Sequence, residues 1–206
     1  SNSFFTDSSI HFFKTKNLSD NTKISIDMMG GDYGPEVTVK GLNYAFKKLE
    51  NVHANLFGNE KKIRDVLNKY PYLSDKVSIF HTDNFVPMDA KPTDAVRRIG
   101  KDSSMWMSIE SCKNRKSDVV LSAGNTGALM ALSKLILKTV DGIERPAITA
   151  LWPNTEGDSV VLDLGANIDV SSNQLVQFGI MGYSYAVCVL KKSHPKIAIL
   201  NIGHEE

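Results

Sequence analysis

The sequence predicts an α/β fold, a mostly parallel sheet with helices on both faces, and three observations predict it. Short β-branched runs alternate with longer helical patterns along most of the chain. Those runs are close to continuously apolar, as parallel strands covered on both faces read. Glycine-rich and polar punctuation follows several of the runs, at the strand ends where doubly wound sheets place their ligands.

Residues 1–22 mix Ser, Asn, Asp, Lys and Phe without a steady period. They read as a flexible N-terminal extension, with Ser1 and Asn2 as a cloning remnant. The α/β catalytic domain is expected over 23–206. Strands are expected at "KISID", "ANLFG", "KVSIFHT", "DVVLSAG", "AITALWP", "SVVLDLG" and "KIAILNIG". Helical patterns fall at roughly 35–50, 59–69, 93–116, 126–139 and 172–191. Only "NTEGD" separates the fifth strand from the sixth, so this pair is expected to form an antiparallel hairpin inside the otherwise parallel sheet.

The 206 residues suffice for one sizeable core without disulfide staples. Cys112 and Cys188 lie in apolar helical patterns and read as reduced core residues. A net charge of +1 argues against a dedicated nucleic-acid binder and leaves small-molecule chemistry open. "SSIHFF" is too short for a leader, and Lys134 interrupts the longest apolar stretch, so a cytoplasmic protein is the expectation.

Four strand-end loops carry the candidate chemistry, and their common edge predicts one site. In "SAGNTGA" the side chains shrink where a strand hands over to a helix, which leaves free backbone N–H groups aimed at an anion. Ser122, Asn125 and Thr126 add donors, and Gly124 and Gly127 allow close approach. Hydrogen bonds to a charged partner contribute about 1.5–3 kcal/mol each, so three or four hold phosphate without arginine. The competing reading, an N-cap with tight helix–sheet packing, is equally open on spacing alone.

"DMMGGDYGPE" sets Asp27 at a strand end, followed by Gly30, Gly31 and Asp32. It is either a sharp turn before a Pro-initiated helix or an acidic rim of the pocket. Two carboxylates five apart, without a His/Cys cluster, do not make a metal site. In "RRIGKDSSM", Lys101, Ser103 and Ser104 offer a second oxyanion contact where a helix could begin. This is not a Walker A loop, since Ala95 and Asp102 stand where Gly and Ser/Thr are required. "DLGANID" contributes Asp163, Gly165 and Asn167, and "NIGHEE" contributes Asn201 and Gly203. The chain lacks both G-x-G-x-x-G and a G-x-S-x-G elbow, which weighs against a dinucleotide site and a serine hydrolase.

As a set and in this order, "DMMGGDYGPE", "MDAKPTDAVRRIGKDSSM", "SAGNTGALMA", "ERPAI", "LDLGANID", "LVQFGIMG" and "ILNIGHEE" resemble the bacterial phosphate acyltransferases of phospholipid synthesis. The resemblance runs from about Lys23 to Glu206. It implies a three-layer α/β/α fold like that of phosphate acetyltransferases and the isocitrate dehydrogenase group. It implies formation of acyl phosphate from long-chain acyl-[acyl-carrier-protein] and inorganic phosphate, with no cofactor and no metal.

It also implies a homodimer, cytoplasmic or peripheral on the inner face of the membrane, feeding a glycerol-3-phosphate acyltransferase. Under it, Lys101, Ser122, Asn125, Asp163 and Asn167 are the expected catalytic group. Asp27, Gly30, Gly31, Asp32, Ser103, Ser104, Gly124, Thr126, Gly127, Gly165, Asn201 and Gly203 line substrate. Met28 stands where the family commonly has Ala, and His204 where Glu is frequent. Family members continue past the end of this sequence, which reads as the N-terminal two-thirds of their domain. The rival readings are a phosphate acetyl- or butyryltransferase using acyl-coenzyme A, a nicotinamide-dependent decarboxylating dehydrogenase, and a non-catalytic phosphometabolite-binding protein.

Overall fold

The computed structural model describes residues 21–201 apart from 98 and 156. The expected N-terminal extension up to Ser19–Asp20, together with Gly203 and His204, lies outside the described residues. The chain divides into two compact units, one ending at Leu132 and one beginning at Ser133.

In the first unit β1 (Thr22–Asp27), β2 (Val52–Gly58), β3 (Val77–His81) and β4 (Val119–Ser122) form one sheet in the order β3-β2-β1-β4. All its pairings are parallel, so the four carboxyl ends share an edge. The sheet places α1 (Pro35–Phe46) and α2 (Glu60–Leu67) against one face. Ile26 and Met28 of β1 and its exit, and Ala54 and Leu56 of β2, pack there with Val39, Leu42, Phe46, Ile63 and Leu73. Each fully buried aliphatic or aromatic side chain of this set contributes about 1.5–3 kcal/mol. Pro35 opens α1 with Glu36 in its first turn, and the Asn59 side chain caps α2 by accepting from the Lys62 amide at 2.9 Å. A 3-10 turn over Pro71–Lys76, not foreseen from periodicity, leads into β3.

The opposite face departs from the expected continuous apolar pattern. Ser25, Asp27 and Asn55 alternate with the apolar residues and are buried, at 7% exposure or less. They meet α4 (Ser104–Lys113) and the residues after it. The Ser25 hydroxyl donates to the Ser108 carbonyl at 2.8 Å, and the Asn55 amide donates to Ser117 Oγ at 2.9 Å. Ser104, Ser108 and Ser111, spaced one helical turn apart, are all buried. Helices therefore cover both faces, and this unit is the expected three-layer α/β/α sandwich.

The helix expected over 93–116 is two helices, α3 (Pro92–Arg97) and α4. Gly100, at φ 89°, turns the chain, and the Ser103 side chain then caps α4 by accepting from the Trp106 amide at 3.3 Å. After β4, α5 (Thr126–Leu137) runs across the boundary between the units.

The second unit contains β5 (Thr149–Asn154), β6 (Gly157–Leu162) and α6 (Ser172–Cys188). The hairpin is antiparallel as expected, but it forms its own two-stranded sheet instead of joining the parallel one. The strand expected at "KIAILNIG" is absent among the described residues: 195–200 join no ladder, and Ile199 and Leu200 are exposed. A strand exists only where another strand completes its hydrogen bonds, and composition cannot supply that partner. Ser171 and Gln174 start α6 with a reciprocal capping box. No helix of the described residues is long and apolar enough to cross a membrane.

Candidate functional site

Because β1 and β4 are adjacent and parallel, their exit loops meet, and Asp27 is the point of contact. Its carboxylate is 3% exposed and accepts three hydrogen bonds. Ser104 Oγ donates to Oδ1 at 2.6 Å, Ser122 Oγ to Oδ2 at 2.8 Å, and the Met29 amide to Oδ1 at 3.2 Å. One buried carboxylate thus joins β1, the end of β4 and the first residue of α4. Ser122 Oγ in turn accepts from the Gly124 amide at 3.0 Å.

The missing side chains of "SAGNTGA" have a steric cause here. A Cβ on Gly30 would lie 2.8 Å from Gly124 Cα, Gly124 N and Asp27 Oδ2. A Cβ on Gly124 would stand 3.0 Å from Met105 Cε and 3.2 Å from Gly30 Cα. Two backbones touch without intervening side chains. Gly31, at φ 83°, makes the turn beside Ala123. The close packing of Gly30 on Gly124 and the Asn125 cap are what the N-cap and tight-packing reading of this stretch expects.

Beyond this contact α5 begins in the open. Thr126 and Gly127 are exposed and are the first two residues of α5, where backbone N–H groups precede the intrahelical ladder. These two N–H groups and the helix dipole favour an anion. Asn125 has a different place from the one its type suggested. Its Nδ2 donates to the Met88 and Ala90 carbonyls at 2.7 and 2.8 Å, and its Oδ1 caps α5 by accepting from the Ala128 amide at 2.9 Å. Both polar atoms of its side chain are engaged in holding the loop and capping the helix. The hydroxyl protons of Ser122 and Ser104 are likewise directed at Asp27. Lys101 is exposed on the turn before α4, three residues from Ser104, and Asp32 is exposed on the β1 exit loop.

Of the four loops expected at one site, the structure brings together those after β1 and β4 and adds the N-terminus of α4. The loop after β6 belongs to the second unit and is organised by its own carboxylate. Asp163 accepts from the Ile148 amide at 2.8 Å and from the Asn167 amide and side chain at 2.6 and 3.0 Å. Asn167 also donates to the Pro146 carbonyl, and Gly165 turns the loop at φ 87°. Asn201 ends the described chain, and Gly203 lies outside it.

Sequence reasoning passed over Glu144. Its carboxylate accepts from Asn173, Gln174 and Gln177 of α6, and these amide donors, with Arg145 nearby, hold it below the usual carboxylate range. The spacing of three amides on one helix face is its only sequence signal. The Trp106 indole N–H, buried in the first turn of α4, has no acceptor among the described residues. Burial pushes the Cys112 thiol up, the Ser25 hydroxyl beside it at 3.5 Å opposes that rise and Asp118 adds to it, so Cys112 rests as a thiol. A cavity of about 600 Å³ between α2 and β3, lined by Arg64, Asn68, Ser74 and Ser78, contains none of the residues of the Asp27 cluster.

The family model described as "Fatty acid synthesis protein" matches residues 22–206. A phosphate acyltransferase of Azorhizobium caulinodans is 46% identical over 189 residues, 92% of this chain and 53% of its own length. That of Pelagibacter ubique is 45% identical over 184 residues, 89% of this chain and 54% of its own length. The chain spans about half the length of the curated relatives it matches. The EutD phosphotransacetylase of Staphylococcus aureus shares the fold, with a TM-score of 0.59 at 18% identity over 81% of this chain and 53% of that one. With the match running from Thr22 to Glu206 and relatives at 45–46% identity across nine-tenths of the sequence, the chain belongs to the fatty acid synthesis protein family.

Proposed function

We propose that residues 23–206 are the N-terminal portion of the catalytic domain of a phosphate acyltransferase. The reaction joins inorganic phosphate to the acyl group of a long-chain acyl-[acyl-carrier-protein]. A phosphate oxygen attacks the thioester carbonyl carbon, the carbon–sulfur bond breaks, and acyl phosphate forms. The proton of hydrogen phosphate passes to the departing carrier thiolate, so the step balances without an added base.

The observation that carries this reading is the Asp27 junction in a chain of this family. Phosphate is already an anion near neutral pH, so the protein has to supply position and oxyanion donors, not a strong base. The open amides of Thr126 and Gly127, the Thr126 hydroxyl and the Lys101 ammonium are the groups we assign to phosphate or to the tetrahedral oxyanion. Each oxyanion donor is worth about 3 kcal/mol. Asp27, through Ser104 and Ser122, holds the start of α4 against the end of β4. Gly30, Gly31 and Gly124 let the loops close, and Ser103 caps α4. Through the family resemblance, the second-unit residues Asp163 and Asn167 belong to the proposed catalytic group, and Asp32, Gly165, Asn201 and Gly203 to the substrate-binding set.

In this reading the acyl carrier protein is the donor, and the protein is a homodimer, cytoplasmic or peripheral at the inner membrane face. Its product supplies a glycerol-3-phosphate acyltransferase. The names of the relatives favour phosphate as acceptor, and the shared fold with a phosphotransacetylase makes acyl-coenzyme A the alternative donor. One assay separates them: the full chain with long-chain acyl carrier protein and phosphate, acyl phosphate being trapped by hydroxylamine. Acyl-coenzyme A and nicotinamide nucleotides run in parallel. A phosphate-dependent hydroxamate from the carrier protein is expected; none from it, with product from acyl-coenzyme A, transfers the assignment to the alternative.

A further inference from the structure

The loop between β3 and α3 bridges the two helix ends of the site. At its start, the Thr82 hydroxyl donates to the Asp102 carbonyl at 2.6 Å and accepts from the Asn84 amide at 3.1 Å. Asn84 adds two ties, its side chain donating to Asp102 Oδ2 at 2.6 Å and its carbonyl accepting from the Ser104 amide at 2.9 Å. At the far end of the loop, the Met88 and Ala90 carbonyls receive both protons of the Asn125 amide. Between the ends, Val86 is buried at 2% exposure and anchors the segment. The same short loop therefore grips the turn that leads into α4 and the cap of α5. Thr82 is 7% exposed, so its hydroxyl works out of competition with water, whereas Asn84 is exposed.

We infer that Thr82 is a positioning residue, whose hydroxyl fixes the Lys101–Ser104 turn against the α5 N-terminus for phosphate. The inference rests on the phosphate site proposed above. It is distinct from the Asp27 junction, which ties the start of α4 to β1 and the end of β4 from inside the sheet edge. The bond from Thr82 ends on the Asp102 carbonyl, one residue after Lys101 and one before Ser103. Loss of it frees that turn to rotate, and displacements of about 1 Å at such a point cost on the order of a hundredfold in reactions that depend on position.

The test compares Thr82→Val, which keeps the shape and loses the hydroxyl, with Thr82→Ser, which keeps the hydroxyl and loses a methyl. Binding of inorganic phosphate to the full chain is read directly by ³¹P line broadening, independent of acyl transfer. Melting temperature is recorded alongside. Thr82→Val is expected to weaken phosphate binding by about tenfold, following from partial misplacement of the turn. Thr82→Ser is expected to stay within about twofold, since the hydroxyl partners are retained. Asn84→Ala, which removes only an exposed tie, serves if Thr82→Val does not fold, and a smaller loss of about threefold is expected from it.

Unchanged phosphate binding in a folded Thr82→Val protein, with only its melting lowered, overturns the inference. So does equal weakening in Thr82→Ser, or an unaltered protein that binds no phosphate. A protein that binds phosphate with this pattern of variants yet makes no acyl phosphate leaves the positioning role intact and removes the acyltransferase reading.

Discussion

Gly30→Ala puts the contact between the β1 and β4 exit loops under direct test. The added Cβ would stand 2.8 Å from Gly124 Cα, Gly124 N and Asp27 Oδ2, about 0.6 Å inside the 3.4 Å at which ordinary contact begins. Two of the three obstacles are backbone atoms, so no rotamer change relieves them. The loops must part by several tenths of an ångström, and forced overpacking of this kind costs about 1–3 kcal/mol. For the first unit, with roughly a hundred described residues, a loss of that size lowers the melting temperature by about 5–15 °C. Under the proposed acyltransferase reading, the same displacement moves the β1 exit loop away from the α5 amides, so kcat/KM for phosphate should fall by about ten- to a hundredfold. Gly41→Ala is the control: it lies in the interior of α1 with nothing within 4 Å of the added Cβ. There the change should stabilise by about 0.4–1 kcal/mol. Differential scanning calorimetry and phosphate-dependent kinetics on both variants decide the matter. Gly30→Ala with unaltered melting and unaltered phosphate dependence would refute the reasoning.

Three further outcomes follow from named groups. Asp27→Asn replaces a buried acceptor of three hydrogen bonds with one that can serve only part of them, and should cost about 2–3 kcal/mol in urea unfolding. A change below about 0.5 kcal/mol would mean that the serines find other partners without loss. The His53 imidazole is held below its ordinary value, by burial first and by Lys23 second. The fold therefore binds fewer protons there than the unfolded chain, and stability should decline as pH falls through about 6.5, a slope that His53→Gln should flatten. Glu144 is shifted down by its amide donors, so its contribution is complete above the ordinary carboxylate value and disappears as pH falls through the lower folded one. Glu144→Gln should remove that acid-side component, and acid titrations that superimpose for the two proteins would contradict it.

The first unit was readable because its signals are local. The run "KISID", Pro35 opening α1 and the shrinking of side chains before α5 each report on a few neighbouring residues. Asp27, Ser104 and Ser122 were all candidates, but nothing local says that two hydroxyls 18 residues apart share one carboxylate. That meeting depends on strand order, which placed β1 beside β4. The break between α3 and α4 falls inside the pattern expected over 93–116, although Ser103 and Ser104 read as a place where a helix could begin. Thr82 and Asn84 were missed because their partners are a backbone carbonyl and a carboxylate about 20 residues away, on a different loop. The failed strand at "KIAILNIG" has the opposite cause: its composition is correct, and the ladder it needs is missing among the described residues. Asn125 was identified by residue type, and its side chain is divided between the β3–α3 loop and the cap of α5, a placement that only coordinates reveal.

The serines of α4 carry a consequence for how that helix can move. A helix lying on leucines and valines can slide or rotate over its neighbour at modest cost, because dispersion contacts are interchangeable. Hydrogen bonds are directional, and α4 meets the sheet through Ser104 on Asp27 and the Ser108 carbonyl on Ser25, while Ser111 bonds Ser117 in the connection to β4. A shift by one turn would break all of them together and leave buried polar groups without partners. The interface behaves as a toothed rack, with one engaged position and no neighbouring one. An all-apolar replacement of these teeth could gain stability, yet it would let the N-terminus of α4 wander at the sheet edge where the two exit loops meet.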